Sequence, residues 1–259
     1  MKARPFSLVK WYMDCVTDEG SVAILYCADL HWHGVHAQLS SVLSGNKQPA
    51  VTRTSISRHQ ISNDGGRISA ALPKLDVSGV WEADAAPFER TVYERDTGCV
   101  RWNCLQPRSR AHVRIGDREL SGAGYAECLT ITIPPWRLPL RRLRWGRFVS
   151  PQDCLTWIDW HGAYNTCFAI YNGNERMPLA VSDSEVVVDD ARLEIEAGVA
   201  LRSGKLGTTI LPGAPGLGKL LPFSIFNVDE RKWLSRGSMT TKDGTSTGWV
   251  IHEVVRWEV

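Results

Sequence analysis

Apolar and polar positions alternate along most of this chain. In GAGYAECLTITI (122–133), Tyr125, Glu127, Leu129, Ile131 and Ile133 share one face of an extended strand, while Ala126, Cys128, Thr130 and Thr132 share the other. Short alternating or β-branched runs recur at SVAILYC (21–27), CVRWNCL (99–105), EVVVDD (185–190), RLEIEA (192–197) and WVIHEVVRWEV (249–259). Turn signals punctuate them at Asn63-Asp64-Gly65-Gly66, Asp96-Thr97-Gly98, Asn172-Gly173-Asn174 and Lys242-Asp243-Gly244. No window carries a long 3.6-residue apolar stripe capped at both ends. Many short strands without alternating helices predict an all-β protein, a sandwich or barrel rather than a doubly wound sheet.

A faint internal repeat predicts two similar halves. VKWYMDCVTDEGSVAILY (9–26) and LTWIDWHGAYNTCFAIY (155–171) each run from Trp to Asp, through a turn, into a second apolar strand. Pro134-Pro135 and the Arg-rich stretch behind it form a natural hinge. The expected division is an N-terminal β-barrel over 1–140 and a C-terminal one over 141–259.

Composition narrows the class. With 259 residues, 43% hydrophobic and 22% charged, the chain reads as a soluble globular protein with ample length for a core. A net charge of +2 gives no global reason to expect nucleic acid or acidic lipid. No apolar run approaches the ~18 residues of a membrane span. The N-terminal MKARPFSLVKWYMD lacks the continuous apolar core of a signal peptide. The seven cysteines form no CxxC pair and several lie in apolar strand patterns, so buried reduced thiols in a cytoplasmic protein are expected. Eleven tryptophans are the outlier. They fit first a β-rich core, which uses Trp well, and second an aromatic pocket for a flat or polyene-like ligand.

Strand phase singles out three carboxylates. Glu127 sits on the most apolar face of its segment, Glu253 falls among Trp249, Ile251, Val255 and Trp257, and Asp159 shares a face with Leu155 and Trp157. Burying a carboxyl raises its pKa unless it is paired or hydrogen-bonded, and a protonated acid in an apolar site can protonate an alkene. Trp11, Trp145, Trp157 or Trp249 would offer ring faces to the resulting cation, and His161 and His252 stand beside candidate groups as proton relays. The competing reading pairs each acid with an arginine such as Arg144, Arg147 or Arg256.

Three other motifs carry less. In an extended strand His31 and His33 of HWHGVH (31–36) would point the same way, but no local carboxylate or cysteine completes a metal set, so no metal site is expected. GAPGLGK (213–219) resembles a P-loop, yet Leu220 stands where Ser or Thr must hold magnesium and Pro222 where the helix must begin, so nucleotide binding is not expected. Arg137, Arg141, Arg142, Arg144 and Arg147 are interleaved with aromatics, but without an RNA-binding signature they predict a strand edge or interdomain ion pairs.

Several segments together resemble a known superfamily. GAGYAECLTITIPPWRLPLRRLRWGRF (122–148), LTWIDWHG (155–162), DERKWLSRG (229–237), GWVIHEVVRW (248–257) and the opening KWYMD with its following DEG are similar to carotenoid 1,2-hydratases (hydroxyneurosporene synthases) and AttH-like proteins. The resemblance is patchy but spans nearly the whole chain. It implies two tandem lipocalin-like antiparallel β-barrels packed together, with a ligand cavity in or between them. It also implies hydration, cyclisation or isomerisation of bulky apolar molecules such as carotenoids, tocopherol precursors or polyketide-derived polyenes, with no redox cofactor. One departure stands out: where the hydratases carry a GYHD-type motif, this chain has Gly124-Tyr125-Ala126-Glu127. The acid is retained and the histidine is lost, which bears against carotenoid hydration itself and leaves acid chemistry in place.

The expectation is a cofactor-free protein that binds an isoprenoid, polyene or polyketide-like molecule and acts on it with Glu127, supported by Asp159, His252 and Glu253, against Trp11, Tyr125, Trp145, Trp157 and Trp249. The alternatives are a lipocalin-type carrier and a protein-interaction module.

Overall fold

A computed structural model describes residues 6–46, 50–210 and 227–257. Ten strands build the first sheet: β1 (Phe6–Val16), β2 (Ser21–Trp32), β3 (Val35–Asn46), β4 (Val51–Ile56), β5 (Gln60–Asn63), β6 (Arg67–Leu72), β7 (Val77–Ala83), β8 (Phe88–Arg95), β9 (Gly98–Ile115) and β10 (Arg118–Ile131). Ten more build the second: β11 (Leu140–Val149), β12 (Cys154–Gly162), β13 (Thr166–Tyr171), β14 (Asn174–Arg176), β15 (Pro178–Val181), β16 (Glu185–Val188), β17 (Ala191–Ile195), β18 (Val199–Lys205), β19 (Asp229–Thr241) and β20 (Gly244–Arg256). All ladders are antiparallel, and each sheet curls into a nearly closed barrel. The predicted all-β, tandem-barrel architecture is what the chain adopts. All four turn signals fall at hairpin bends, between β5 and β6, β8 and β9, β13 and β14, and β19 and β20. At one of them Asn172 and Gly173 have φ of 46° and 79°, the left-handed pair a two-residue hairpin needs.

The two sheets repeat one topology. Their orders are β4-β3-β2-β1-β10-β9-β7-β6-β5 and β14-β13-β12-β11-β20-β19-β17-β16-β15, so β1 corresponds to β11 and β10 to β20. This corrects the sequence repeat by one strand. LTWIDWHG lies on β12 and matches β2, not β1, so the Trp and Asp of the two segments do not occupy equivalent strands.

Side chains sort into three apolar zones by strand phase. Met13, Cys15, Leu25, Trp81, Val113 and Ala126 fill the first barrel, and Phe148, Leu155, Trp157, Leu193, Met239 and Val250 fill the second. Trp157 packs so closely over Gly146 that a Cβ there would lie 2.2 Å from its ring. Both interiors are therefore occupied by buried apolar side chains. The third zone draws on both sheets, with Tyr12, Trp102, Tyr125 and Ile131 from one and Trp145, Trp160, Phe168 and Ile251 from the other. It cements the barrels face to face. At its centre Asp14 accepts two hydrogen bonds from Arg147, at 2.6 and 3.0 Å, and both residues are wholly buried. Burial works against the Arg147 charge, but the adjacent Asp14 carboxylate more than offsets it and holds the guanidinium above its ordinary pKa.

All seven cysteines are free thiols. Burial pushes those of Cys15 and Cys27 up to about 12.

Candidate active site

The contact zone between the barrels is not fully packed. A cavity of about 380 Å³ lies within it, lined by residues of both sheets and by the connection between them. That volume lies within the range of small-molecule sites. A larger hollow of about 510 Å³ lies on the outside of the first sheet, but Gln60, Ser62, His112, Arg114 and Glu119 along it are exposed side chains, so it is a surface furrow.

The alternation of four central strands places the cavity wall. On β1 the inward residues run Phe6, Leu8, Lys10, Tyr12; on the adjoining β10 they run Ile131, Leu129, Glu127. The second sheet repeats the order with Leu140, Leu143, Trp145 on β11 and Trp257, Val255, Glu253 beside and on β20. On β1, β10 and β20 the apolar residues come first and the polar ones last, and on β11 the series ends at Trp145, whose indole N–H reaches Glu127. The cavity is therefore amphipathic along its length, and the buried Asp14–Arg147 pair lies one step beyond the polar end in strand order.

Glu127 is the focus of that polar end. Its Oε2 accepts hydrogen bonds from Trp102 Nε1 at 2.6 Å, Tyr125 Oη at 2.6 Å and Trp145 Nε1 at 3.2 Å. Trp145 comes from the other barrel, so this carboxyl ties the two sheets together. The two indole N–H groups can only donate, and with Tyr125 Oη donating as well, the oxygen left to carry a proton on Glu127 is Oε1. Burial raises the pKa of the acid, outweighing the donors from Tyr125 and Trp102 that favour the charged form. No arginine or lysine lies within ion-pair distance of Glu127 among the described residues.

Glu253 is its counterpart in the repeat. Tyr12 stands opposite Glu127 in the β1–β10 ladder, and Trp145 stands opposite Glu253 in the β11–β20 ladder. The next strand decides their different states. Cys104 on β9 faces Glu127, whereas Lys232 on β19 faces Glu253 and forms a close ion pair with it. Lys232 is 1% exposed; burial opposes its charge, but Glu253 more than compensates and holds the ammonium above its usual range. That ammonium lies 5.3 Å from the Tyr12 ring centroid and 5.2 Å from that of Trp145. A second pair, Arg202 with Glu230 at 3.2 Å, completes the polar wall.

Two one-residue bulges adjoin Glu127, at Gly124/Ala126 and Ala126/Glu127. The register Gly124↔Ser109, Ala126↔Gln106, Glu127↔Cys104 puts the extra residues on β9, where Pro107 has no N–H to give a ladder. The β1–β10 ladder is unbroken there, so the phase read from the sequence survives.

The structure gathers some of the expected site residues and disperses others. Glu127, Trp145 and Glu253 line the cavity, and Tyr125 stands behind Glu127. Trp249 lies on the interbarrel side but stacks under Arg236, 4.6 Å from its guanidinium carbon, away from the cavity wall. Trp11 packs against the first barrel's interior and Trp157 lies inside the second. Asp159 is buried with His161 at 2.6 Å and Arg144 at 4.0 Å, and His252 contacts Ser235 at 3.2 Å and stacks on Trp233; neither lines the cavity. Phase identified an apolar face for Asp159 correctly, but that face looks into a barrel rather than between barrels. Arg147 pairs with Asp14, and Arg144 is shared between Asp159 and Asp183. Arg142 and Arg256 oppose one another across the β11–β20 ladder rather than meeting an acid of the trio. Ala126, at the position of the lost histidine, faces the first barrel's interior, so this departure does not alter the cavity wall.

His33 occupies the β2–β3 turn with φ of 46°, so it does not stand beside His31, which instead stacks on His36 at 4.1 Å. The P-loop-like GAPGLGK (213–219) lies outside the described residues.

Sequence reasoning missed Lys10, Tyr12, Asp14, Arg202, Glu230 and Lys232. The signal was available in part: K-x-Y-x-D in KWYMD and E-x-K in DERKW put Lys10, Tyr12 and Asp14, and Glu230 and Lys232, on single strand faces. What pairs those faces is tertiary.

No protein-family model matches the chain, and no curated protein matches it in sequence. Solved structures do match in fold. An AttH-like protein from Nitrosomonas europaea superposes with a TM-score of 0.59 at 8% identity, over 98% of this chain and 94% of the other. CghA in complex with Sch210972 gives 0.55 at 8% identity, covering 98% and 89%. Kievitone hydratase from Nectria haematococca gives 0.53 at 10% identity, covering 97% and 90%. At these identities the likeness is one of fold: the chain has the tandem lipocalin-like fold of AttH-like proteins and hydratases. Among the described residues no helix is long and apolar enough to cross a membrane.

Proposed function

We propose that this protein binds a bulky apolar small molecule between its two barrels and performs acid-assisted hydration, cyclisation or isomerisation on it without a cofactor. The observation that carries this reading is the state of Glu127: a cavity-wall carboxyl, oriented by three donors on one oxygen, without an ion-pair partner among the described residues and raised in pKa by burial. Such a group holds a proton on Oε1 in an apolar setting, the requirement for protonating a double bond.

In the proposed step the Oε1–H bond breaks and the π pair of the alkene forms a new C–H bond, leaving a carbocation and the Glu127 carboxylate. The carboxylate is stabilised by the Trp102, Tyr125 and Trp145 donors, which strengthen as its charge develops. Trp136, Trp160 and Trp257 surround the apolar part of the cavity, where ring faces favour a cation. Capture by water, by a second double bond or by loss of a different proton gives hydration, cyclisation or isomerisation, and the proton released returns to Glu127. Electrons balance within the substrate, so no redox partner enters. Kievitone hydratase shares the fold and is named for a hydration, which supports the reaction class.

Mass spectrometry of ligands co-purified with the full chain, followed by turnover assays of Glu127→Gln, tests this proposal. Loss of turnover with retained ligand is expected. Retained turnover would remove Glu127 from the chemistry, and a ligand returned unchanged by the wild type would favour a carrier.

A further inference from the structure

The charges lining the cavity do not cancel once Glu127 holds a proton. Arg202 pairs with Glu230, and Lys232 with Glu253, which leaves Lys10. No carboxylate lies within ion-pair distance of Lys10 among the described residues, and its ammonium lies 5.5 Å from the Tyr26 ring centroid. Two further polar groups at that end are unanswered. The hydroxyls of Tyr12 and Tyr26 are sealed from solvent and make no well-formed hydrogen bond, Tyr12 lying near enough to Asp14 to favour its ionised form, and both residues line the cavity. Tyr12 is 3% exposed. Buried hydroxyls without partners are uncommon, and each is a donor that a ligand oxygen would satisfy.

These groups converge. Tyr12 and Tyr26 face each other across the β1–β2 ladder with ring centroids 5.4 Å apart, and Lys10 is one inward position away on β1. An ammonium and two phenol hydroxyls at one end of a cavity, opposite an end made of Phe6, Leu8, Trp136 and Leu138, select a molecule of matching polarity.

We infer that the ligand is an amphipathic acid, a bulky apolar body bearing one carboxylate or comparably acidic enol, whose anionic oxygens are taken by Lys10, Tyr12 and Tyr26. This rests on the proposed function and specifies its substrate class. It has a chemical consequence. Lys10 is one of the charges that favour the ionised form of Glu127, so an anion placed on Lys10 weakens that influence and helps Glu127 keep its proton. The substrate's own head group would thereby prime the acid that acts on its body. The opposing arrangement, in which an ionised Glu127 balances Lys10 across the cavity, predicts no preference for acids.

The test uses the full chain and two matched probe pairs, retinoic acid with retinol and farnesoic acid with farnesol, titrated by tryptophan fluorescence and calorimetry. A charge-assisted contact predicts that each acid binds about tenfold tighter than its alcohol. Lys10→Gln should reduce the preference to about twofold or less, through weaker binding of the acids, and Lys10→Arg should keep it. Thermal melting of both variants checks that they fold. Equal binding of acid and alcohol by the wild type overturns the inference and leaves the cavity reading standing. An acid preference that survives Lys10→Gln overturns the assignment of Lys10. Failure of all four probes to bind overturns the cavity reading and this inference with it.

Discussion

Replacing Glu127 with glutamine separates what the side chain does for the fold from what it does for chemistry. The three donors all reach Oε2, at 2.6, 2.6 and 3.2 Å, so a glutamine carbonyl can receive all of them while its amide nitrogen takes the place of Oε1. The hydrogen bonds survive and the titratable proton disappears. Because burial raises the folded pKa of Glu127, the protonated acid is the form the fold prefers. Wild-type stability from this group is fully present below its unfolded pKa of about 4.3 and is lost as pH rises through the higher folded value. Glu127→Gln carries no such loss. The stability of the variant relative to wild type should therefore climb with pH above about 4.3, by at most about 1.4 kcal/mol per pH unit, then level off at the folded pKa. Glu127→Ala should behave differently. It strands two indoles and a phenol, and at about 1–3 kcal/mol for each unsatisfied group, softened by water entering the cavity, a net loss of roughly 2–4 kcal/mol is expected. Urea unfolding of the three proteins between pH 4 and about 9 measures all of this. A wild-type-to-glutamine difference that stays flat, or falls as pH rises, would refute the argument, because it would mean that the donors and not burial set the proton affinity.

Two further outcomes follow from other buried charges. Asp14→Asn removes the charge that balances Arg147 and leaves its wholly buried guanidinium only neutral acceptors, the new amide oxygen and the Trp249 carbonyl, and should cost about 3–5 kcal/mol in denaturant unfolding. Replacing both residues with apolar side chains of similar volume should cost less than the single change, and the reverse order would refute the account. His252 has its pKa pushed down to about 4 by burial, so it stays neutral in the fold. The stability this gives is present above the unfolded value of about 6.5 and is lost as pH falls toward 4. An NMR titration of the His252 ring with a midpoint near 6.5 would overturn it.

Glu127 and Glu253 show how far strand phase reaches. Alternation with period two is a local property, so it placed both acids on the correct faces, and it survived the bulges because the extra residues fell on β9. The same reasoning put Asp159 on an apolar face that proved to be a barrel interior, because phase distinguishes two faces of a strand without saying what each one meets. Trp11 and Trp157 were displaced from the expected site for the same reason.

The sequence by itself determined the alternating strand segments, the hairpin turns and the all-β class, since each depends on neighbours within a few residues. Tertiary structure alone decided which faces meet. It filled both barrel interiors with buried apolar side chains and left a cavity between the barrels. It joined Asp14 to Arg147 across 133 positions of chain and brought Trp145 to Glu127 from the opposite barrel. It also set Lys232 against one acid of a repeated pair and Cys104 against the other, so that one glutamate is neutralised and its twin is free to hold a proton. The physical reason is that charge pairing and burial depend on distance in space, and the pattern along a strand fixes only direction.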